Sequence, residues 1–197
     1  MASTRRGLEI RLSRAPHSGW LSVVNTTTRL ELLAIEHARP LERFERGNRA
    51  FFAARIGDRG EEFFEHFDDR LASRVLENQE GTSLYFVIVD AQGEVLGRIN
   101  ISDIHRPDRT ELGFRVAEYA QGRGLATAGV INALEIAAAR GVRSVRARAS
   151  IANLASRRVL ERCGFAQTGP AEAPSGSSHS FIGYTKHLDE GLSQPMR

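Results

Sequence analysis

Residues 111–129 read ELGFRVAEYAQGRGLATAG and run on into VINALEIAAAR before Gly141. ELGFRV has the composition and alternation of a strand. From about Arg123 to Arg140, Leu125, Val130, Leu134 and Ala138 recur at the spacing of an amphipathic helix, with Gly141 as its stop. Gly122 and Gly124 lie between the two. Glycines just ahead of a helix let the backbone turn without Cβ clashes and admit a ligand close to the amides. The first N–H groups of a helix have no intrahelical partner and sit at the positive end of its dipole. The segment therefore predicts an anion-binding turn, to which Arg123 adds a charge-assisted contact.

Several phosphate loops share that logic, and the neighbouring residues separate them. A Walker loop ends in Lys-Ser/Thr, which is absent here. The dinucleotide fingerprint Gly-x-Gly-x-x-Gly matches at Gly122 and Gly124 but meets Thr127 at its third glycine. Arg143, Arg146 and Arg148 could still meet a 2′-phosphate, yet little chain follows for a second βαβ unit. The acyl-coenzyme-A pattern Gln/Arg-x-x-Gly-x-Gly/Ala is met at every fixed position by Gln121, Gly124 and Ala126. A plain glycine turn that starts a helix is the bland alternative.

A strand is expected at 29–34 and helices at 36–54 and 61–77, the second carrying Phe63, Phe64, Phe67, Leu71 and Val75 on one face. LYFVIV at 84–89 and VLGRINI at 95–101 flank the turn Asp90-Ala91-Gln92-Gly93 and read as a hairpin. A turn at 105–109 precedes the strand at 110–116. After the helix come a strand at 142–149, a helix at 152–163, and closing strands at 165–168 and 180–187 around a Pro/Gly/Ser-rich loop at 170–178. There is no internal repeat.

The chain of 197 residues suits one domain, here 27–190, between an N-terminal extension (1–26, with a short strand where Leu8, Ile10 and Leu12 alternate) and a tail at 191–197. No apolar run reaches the ~20 residues of a membrane span. A single cysteine, Cys163, excludes an internal disulfide and suits the cytoplasm. The formal charge of +3 is matched by residues 1–25 alone, with four arginines and one glutamate, so the rest is neutral and nucleic-acid binding is not expected. Only Lys186 of the 27 basic residues is a lysine, which reads as compositional bias.

The second informative segment is ANLASRRVLERCGF at 152–165. Asn153 and Ser156 fall three apart, on one face of a helix or its cap, where an amide and a hydroxyl can meet one ligand. Taken alone, Asn153 reads as a simple helix cap. With ELGFRV, QGRGLA and Asn-x-x-Ser followed by Cys-Gly-Phe in that order, the chain resembles the GNAT acetyltransferase superfamily. Within it the likeness is to the ribosomal-protein-alanine N-acetyltransferase (RimJ/RimL-like) type, over about residues 27–190.

That resemblance implies an α/β (α+β) fold, with a mixed, mainly antiparallel central sheet flanked by helices and splayed into a V between the strands at 110–116 and 143–149. It implies acetyl-CoA as co-substrate, with no metal. The pantetheine would pair with backbone near Phe114 and Val116. The pyrophosphate would rest on Gln121, Gly122, Arg123, Gly124, Leu125, Ala126 and Thr127. Asn153 and Ser156 would face the pantetheine or thiol end. It also implies an amine-bearing acceptor, a protein N-terminus or a small molecule, and it allows a homodimer.

Acyl transfer to an amine asks for a base and, for the leaving thiolate, an acid. Many family members carry a tyrosine four residues before Gly-Phe; here that position is Leu160. Ser156 occupies the place of the serine that the RimJ/RimL-like branch offers instead, as donor or as a hydrogen bond to sulfur. Glu111 stands where a carboxylate base is common, or it is a surface residue balancing Arg98 or Arg109. Phe51, Phe52, Tyr85, Asn100, Ser102 and Tyr184 are candidates for the acceptor groove, with the core an equal alternative for each aromatic. The acids Glu61, Glu62, Glu65, Asp68 and Asp69 either attract a cationic acceptor or form a solvated helix face. Cys163 reads as a small core residue. No metal-ligand cluster and no Gly-x-Ser-x-Gly elbow is present. An NADP-binding reductase and a ribosome- or RNA-associated module using the basic N-terminal segment are the readings from other classes.

Overall fold

The computed structural model describes residues 28–174 and 177–188, together with the backbone of Leu8–Glu9. Among these, strands β1 (Leu8–Glu9), β2 (Arg29–Leu32), β3 (Leu84–Val89), β4 (Val95–Ser102), β5 (Glu111–Val116), β6 (Ser144–Ser150), β7 (Ala166–Ala171) and β8 (Phe181–His187) form one sheet. Their order is β1-β2-β3-β4-β5-β6-β8-β7. Neighbours run antiparallel except β5 and β6, which are parallel, so the sheet is mixed and mainly antiparallel as expected. The helices are α1 (Ala38–Gly47), α2 (Arg49–Ile56), α3 (Glu61–Glu65), α4 (Phe67–Glu80), α5 (Leu125–Ala139) and α6 (Leu154–Arg162).

The pleat gives the sheet two different faces. One is apolar, and α5 packs on it through Gly129. A Cβ there would lie 2.5 Å from Ile99 Cδ1 and 3.1 Å from Ile88 Cδ1, so the glycine sets how closely α5 approaches. On the other face the register places Tyr85, Asn100 and Gly113 side by side, then Arg98 beside Arg115, and Ser102 beside Glu111. Helices α1 and α4 contact β4 and β3 and cover part of this polar face.

Two expected helices are broken. The stretch 36–54 begins as a 3-10 turn (Ile35–His37) and divides at Asn48, whose amide donates to Phe44 O at 2.8 Å and accepts the Glu118 N–H at 2.9 Å. That side chain ends α1 and ties it to the chain leading into the glycine turn, a contact 70 residues apart that local periodicity does not encode. The stretch 61–77 divides at His66 and continues to Glu80. Helix α5 starts at Leu125 because Gly124, at φ 76°, is its N-cap. Strand β7 extends to Ala171, into the expected loop. Leu8–Glu9 pairs with Arg29 and Leu30, while Ile10 and Leu12, the rest of the extension and the tail lie outside the described residues. No helix among the described residues is long and apolar enough to cross a membrane.

Candidate active site at a split in the sheet

Strands β5 and β6 pair at Glu111–Arg146 and Leu112–Ala147 and then diverge. Among the described residues β5 therefore has no strand partner on its β6 side along 113–116, an edge that can pair with a bound chain, although Val116 O already accepts the Gln121 side-chain amide at 3.5 Å. The gap opens into a cavity of about 330 Å³. Phe114, Val116, Gln121, Gly122, Gly124, Leu125, Ala126 and Thr127 line one side of it, and Asn153 and Ser156 the other. Sequence reasoning had named all of these.

The turn has the geometry of an anion cradle. Gly122 and Gly124 adopt φ 75° and 76°, in the left-handed region that side chains with a Cβ avoid. Helix α5 opens directly on the cavity with Leu125, Ala126 and Thr127, whose amides have no hydrogen-bond acceptor among the described residues. Three convergent donors at a helix N-terminus fit a pyrophosphate. Arg123 differs from expectation: its side chain turns back to donate to Tyr119 O at 3.2 Å and does not line the cavity.

Across the gap, the Asn153 side chain accepts the Ser156 N–H at 3.1 Å and caps α6. The two readings of Asn153 are thus compatible, since the capping residue also faces the cavity. The Ser156 hydroxyl has no protein partner among the described residues. Leu160 is fully buried, and its aliphatic side chain offers no acid. Cys163 is buried, its thiol directed at Thr127 O at 3.8 Å, and burial pushes its pKa up to about 11, as befits an inert core residue.

A second cavity of about 420 Å³ lies on the polar face of the sheet. It shares Ile56, Phe114, Arg115, Asn153 and Ser156 with the first, so the two meet at the split. Glu111 lines it and is paired not with Arg98 or Arg109 but with Arg148, whose Nε and Nη2 lie 2.9 and 3.4 Å from its oxygens. Tyr85, Asn100 and Ser102 line this cavity, and Phe51 and Phe52 line the first. Tyr184 does neither. It is buried in the core, where its hydroxyl meets Arg157 Nε at 3.2 Å. The acidic run is a solvated face: Glu61, Glu62, Glu65, Asp68 and Asp69 are all exposed, with Glu61 bound to Arg49.

The sequence reading missed a charged cluster under this cavity. Glu45, on α1, is 3% exposed, and three guanidiniums meet it. Arg98 Nε stands 2.9 Å from Oε1, Arg59 Nη1 3.5 Å from Oε1, and Arg115 Nη1 3.3 Å from Oε2. The Arg98 Nε–H is not aimed at the carboxylate, so that contact is an ion pair without a hydrogen bond. Burial alone would raise the Glu45 pKa, but the fields of Arg98, Arg59 and Arg115 outweigh it and hold the carboxyl below its ordinary value. The only local signal was the alternation of Arg98, Asn100 and Ser102 in β4. No group of three or more potential metal ligands occurs among the described residues.

The sequence matches the family of the acetyltransferase (GNAT) domain over residues 29–166. No curated protein matches it by sequence. Among solved structures, a ribosomal-protein-S5-alanine acetyltransferase from Vibrio fischeri is similar at TM-score 0.76 and 23% identity, covering 83% of this chain and 94% of that one. RimL, a ribosomal L7/L12 alpha-N-protein acetyltransferase in complex with coenzyme A, is similar at TM-score 0.72 and 22% identity, with 86% and 98% covered. The microcin C7 self-immunity acetyltransferase MccE, in complex with acetyl-CoA and AMP, is similar at TM-score 0.70 and 20% identity, with 82% and 92% covered. At these identities the likeness is one of fold.

Proposed function

Because the chain belongs to the GNAT acetyltransferase family, we propose that it transfers the acetyl group of acetyl-CoA to an amine, with a protein N-terminal amine as the acceptor. The observation that carries this reading is the meeting of two cavities at Phe114, Asn153 and Ser156. One has the open strand edge and the helix N-terminus that suit pantetheine and pyrophosphate. The other opens on the polar face and suits an acceptor.

In this reading the amides of Leu125, Ala126 and Thr127 hold the pyrophosphate, and the free edge of β5 at 113–116 pairs with the pantetheine amides. The thioester carbonyl then lies where a β5 N–H receives the developing oxyanion. The amine nitrogen attacks the carbonyl carbon, the C–N bond forms and the C–S bond breaks. The thioester is already activated, so positioning supplies much of the rate. Glu111 takes the proton from the ammonium, directly or through water, on the lone pairs that Arg148 leaves free. Ser156 supplies a hydrogen bond, or its proton, to the departing sulfur. The buried single thiol suits the cytoplasm as the place of action.

A small-molecule amine is the second reading, favoured by the likeness to MccE, which is a self-immunity enzyme. The test is acetyl-CoA with a panel of peptides and small amines, scored by coenzyme A release and by the mass of the acetylated product. Release coupled to acetylated product supports the proposal. Stabilisation of the protein by NADPH and not by coenzyme A would sink it.

A further inference from the structure

The second cavity is unusually cationic. Arg59, Arg74, Arg98, Arg115 and Arg148 line it, and Glu111 is the one acid in its lining. Glu111 is occupied by Arg148. Among the described residues the carboxylates beside the other four guanidiniums are Glu45 and Glu77. Glu77 Oε2 already accepts the hydroxyls of Ser83 and Tyr85, at 2.7 and 2.9 Å. Arg74 has no carboxylate within ion-pair distance among the described residues and stands 5.5 Å from the Tyr85 ring centroid.

Glu45 thus serves Arg59, Arg98 and Arg115 together, and Arg74 adds a fourth charge to the same wall. Burial and repulsion from Arg98 push Arg59, Arg74 and Arg115 down from the ordinary arginine value. A guanidinium nonetheless keeps its proton in proteins, so the wall stays positive. A network serving stability alone is more economical when its charges balance, because a buried charge in excess is costly. Coenzyme A does not account for the excess. Its pyrophosphate fits the glycine turn on the first cavity, whereas Arg59, Arg74 and Arg98 line only the second.

We propose that the acceptor carries an anionic group, a carboxylate or phosphate, beside its amine, and that Arg59, Arg74, Arg98 and Arg115 receive that group. This rests on the acetyltransferase reading and narrows it. The cavity then matches a zwitterion, with Glu111 facing the ammonium and the arginine wall facing the anion. Planar guanidiniums suit carboxylate and phosphate oxygens by paired N–H donors. An acidic side chain near a peptide N-terminus and a phosphorylated small amine present the same chemistry.

Calorimetric titration of the coenzyme-A-saturated protein tests this with matched acceptors. The pairs are Ala-Asp-Ala amide against Ala-Ala-Ala amide, and phosphoethanolamine against ethanolamine. The anionic member of at least one pair is expected to bind about tenfold or more tighter, as for a hydrogen bond to a charged group. The pair that shows it identifies the source, peptide or small molecule. In the double variant Arg59→Gln/Arg74→Gln, which keeps Arg98 and Arg115 on Glu45, the preference should vanish while coenzyme A affinity holds within about twofold. Equal affinities within both pairs would overturn the inference, as would a preference that survives in the variant. A protein that fails to bind coenzyme A in the preliminary titration would instead overturn the acetyltransferase reading itself.

Discussion

Arg148 on β6 holds both carboxylate oxygens of Glu111 on β5, at 2.9 and 3.4 Å, next to the short stretch, Glu111–Arg146 and Leu112–Ala147, where these two strands pair. Immediately beyond, the strands part and the two cavities meet. The ion pair therefore stands at the apex of the split and fixes a carboxylate on the wall of the second cavity. Arg148 is held in turn by Glu172 O at 3.0 Å, from the segment after β7. The candidate base is thus oriented by a residue from the far side of the cleft.

Glu111→Gln should lower kcat by about tenfold or more and change the pH–rate profile, with the KM for acetyl-CoA unaltered. The ion pair is one-third exposed at both partners, so its loss should cost less than about 1 kcal/mol of stability. Steady-state rates across pH, together with a urea melt, separate the two effects. A wild-type profile would remove Glu111 from the mechanism.

Ser156→Ala removes a hydroxyl at the junction and leaves the backbone N–H that Asn153 caps. Turnover should fall about tenfold, the worth of one hydrogen bond to a charged sulfur, while coenzyme A affinity changes little. Single-turnover kinetics and calorimetry read these separately. Unchanged chemistry would assign the thiolate's proton to solvent.

Gly124→Ala places a Cβ at φ 76° in the turn that starts α5. The strain should cost about 1–2 kcal/mol, seen as a lower melting temperature. Coenzyme A affinity should fall as well, because the amides of Leu125, Ala126 and Thr127 shift with the turn. A variant that loses stability but binds coenzyme A normally would show that the turn only builds the helix.

Glu45→Gln leaves the buried Arg98 and the partly buried Arg59 and Arg115 without their counter-charge, and about 3 kcal/mol of stability should be lost at neutral pH. The pH dependence has a definite sign. A carboxyl whose folded pKa lies below its unfolded value contributes stability that is full above the unfolded pKa. That contribution fades as pH falls through the folded pKa. Urea melts of the wild type should therefore lose stability below the ordinary carboxylate range, and Glu45→Gln should lose less over that interval. Parallel losses in the two proteins would contradict the assignment.

The sequence made the site's first half readable because its determinants are local. The strand, glycine turn and helix at 111–139, and the Asn153 cap of α6, each follow from residues a few positions apart. The second half depends on contacts across the chain: Arg115 reaches Glu45 over 70 residues, and Arg148 reaches Glu111 over 37. In a chain whose basic residues are nearly all arginine, the ones gathered at the cavity look no different from those on the surface. Side-chain direction is not legible either: Arg123 turns back to Tyr119 O, and Tyr184 takes the core placement that its residue type equally allowed. The helix breaks at Asn48 and His66 were hidden because hydrophobic periodicity passes through both.

On the proposed reading, the split between β5 and β6 brings an acetyl thioester to an amine. The most direct test is single-turnover reaction of the protein with labelled acetyl-CoA and an amine panel that includes acidic peptides and phosphorylated amines, following label transfer by mass spectrometry. The expected result is coenzyme A release matched one-for-one by N-acetylated product, with both slowed about tenfold in Glu111→Gln and in Ser156→Ala. Binding of NADPH in place of coenzyme A, or coenzyme A release by hydrolysis alone with every amine, would contradict it.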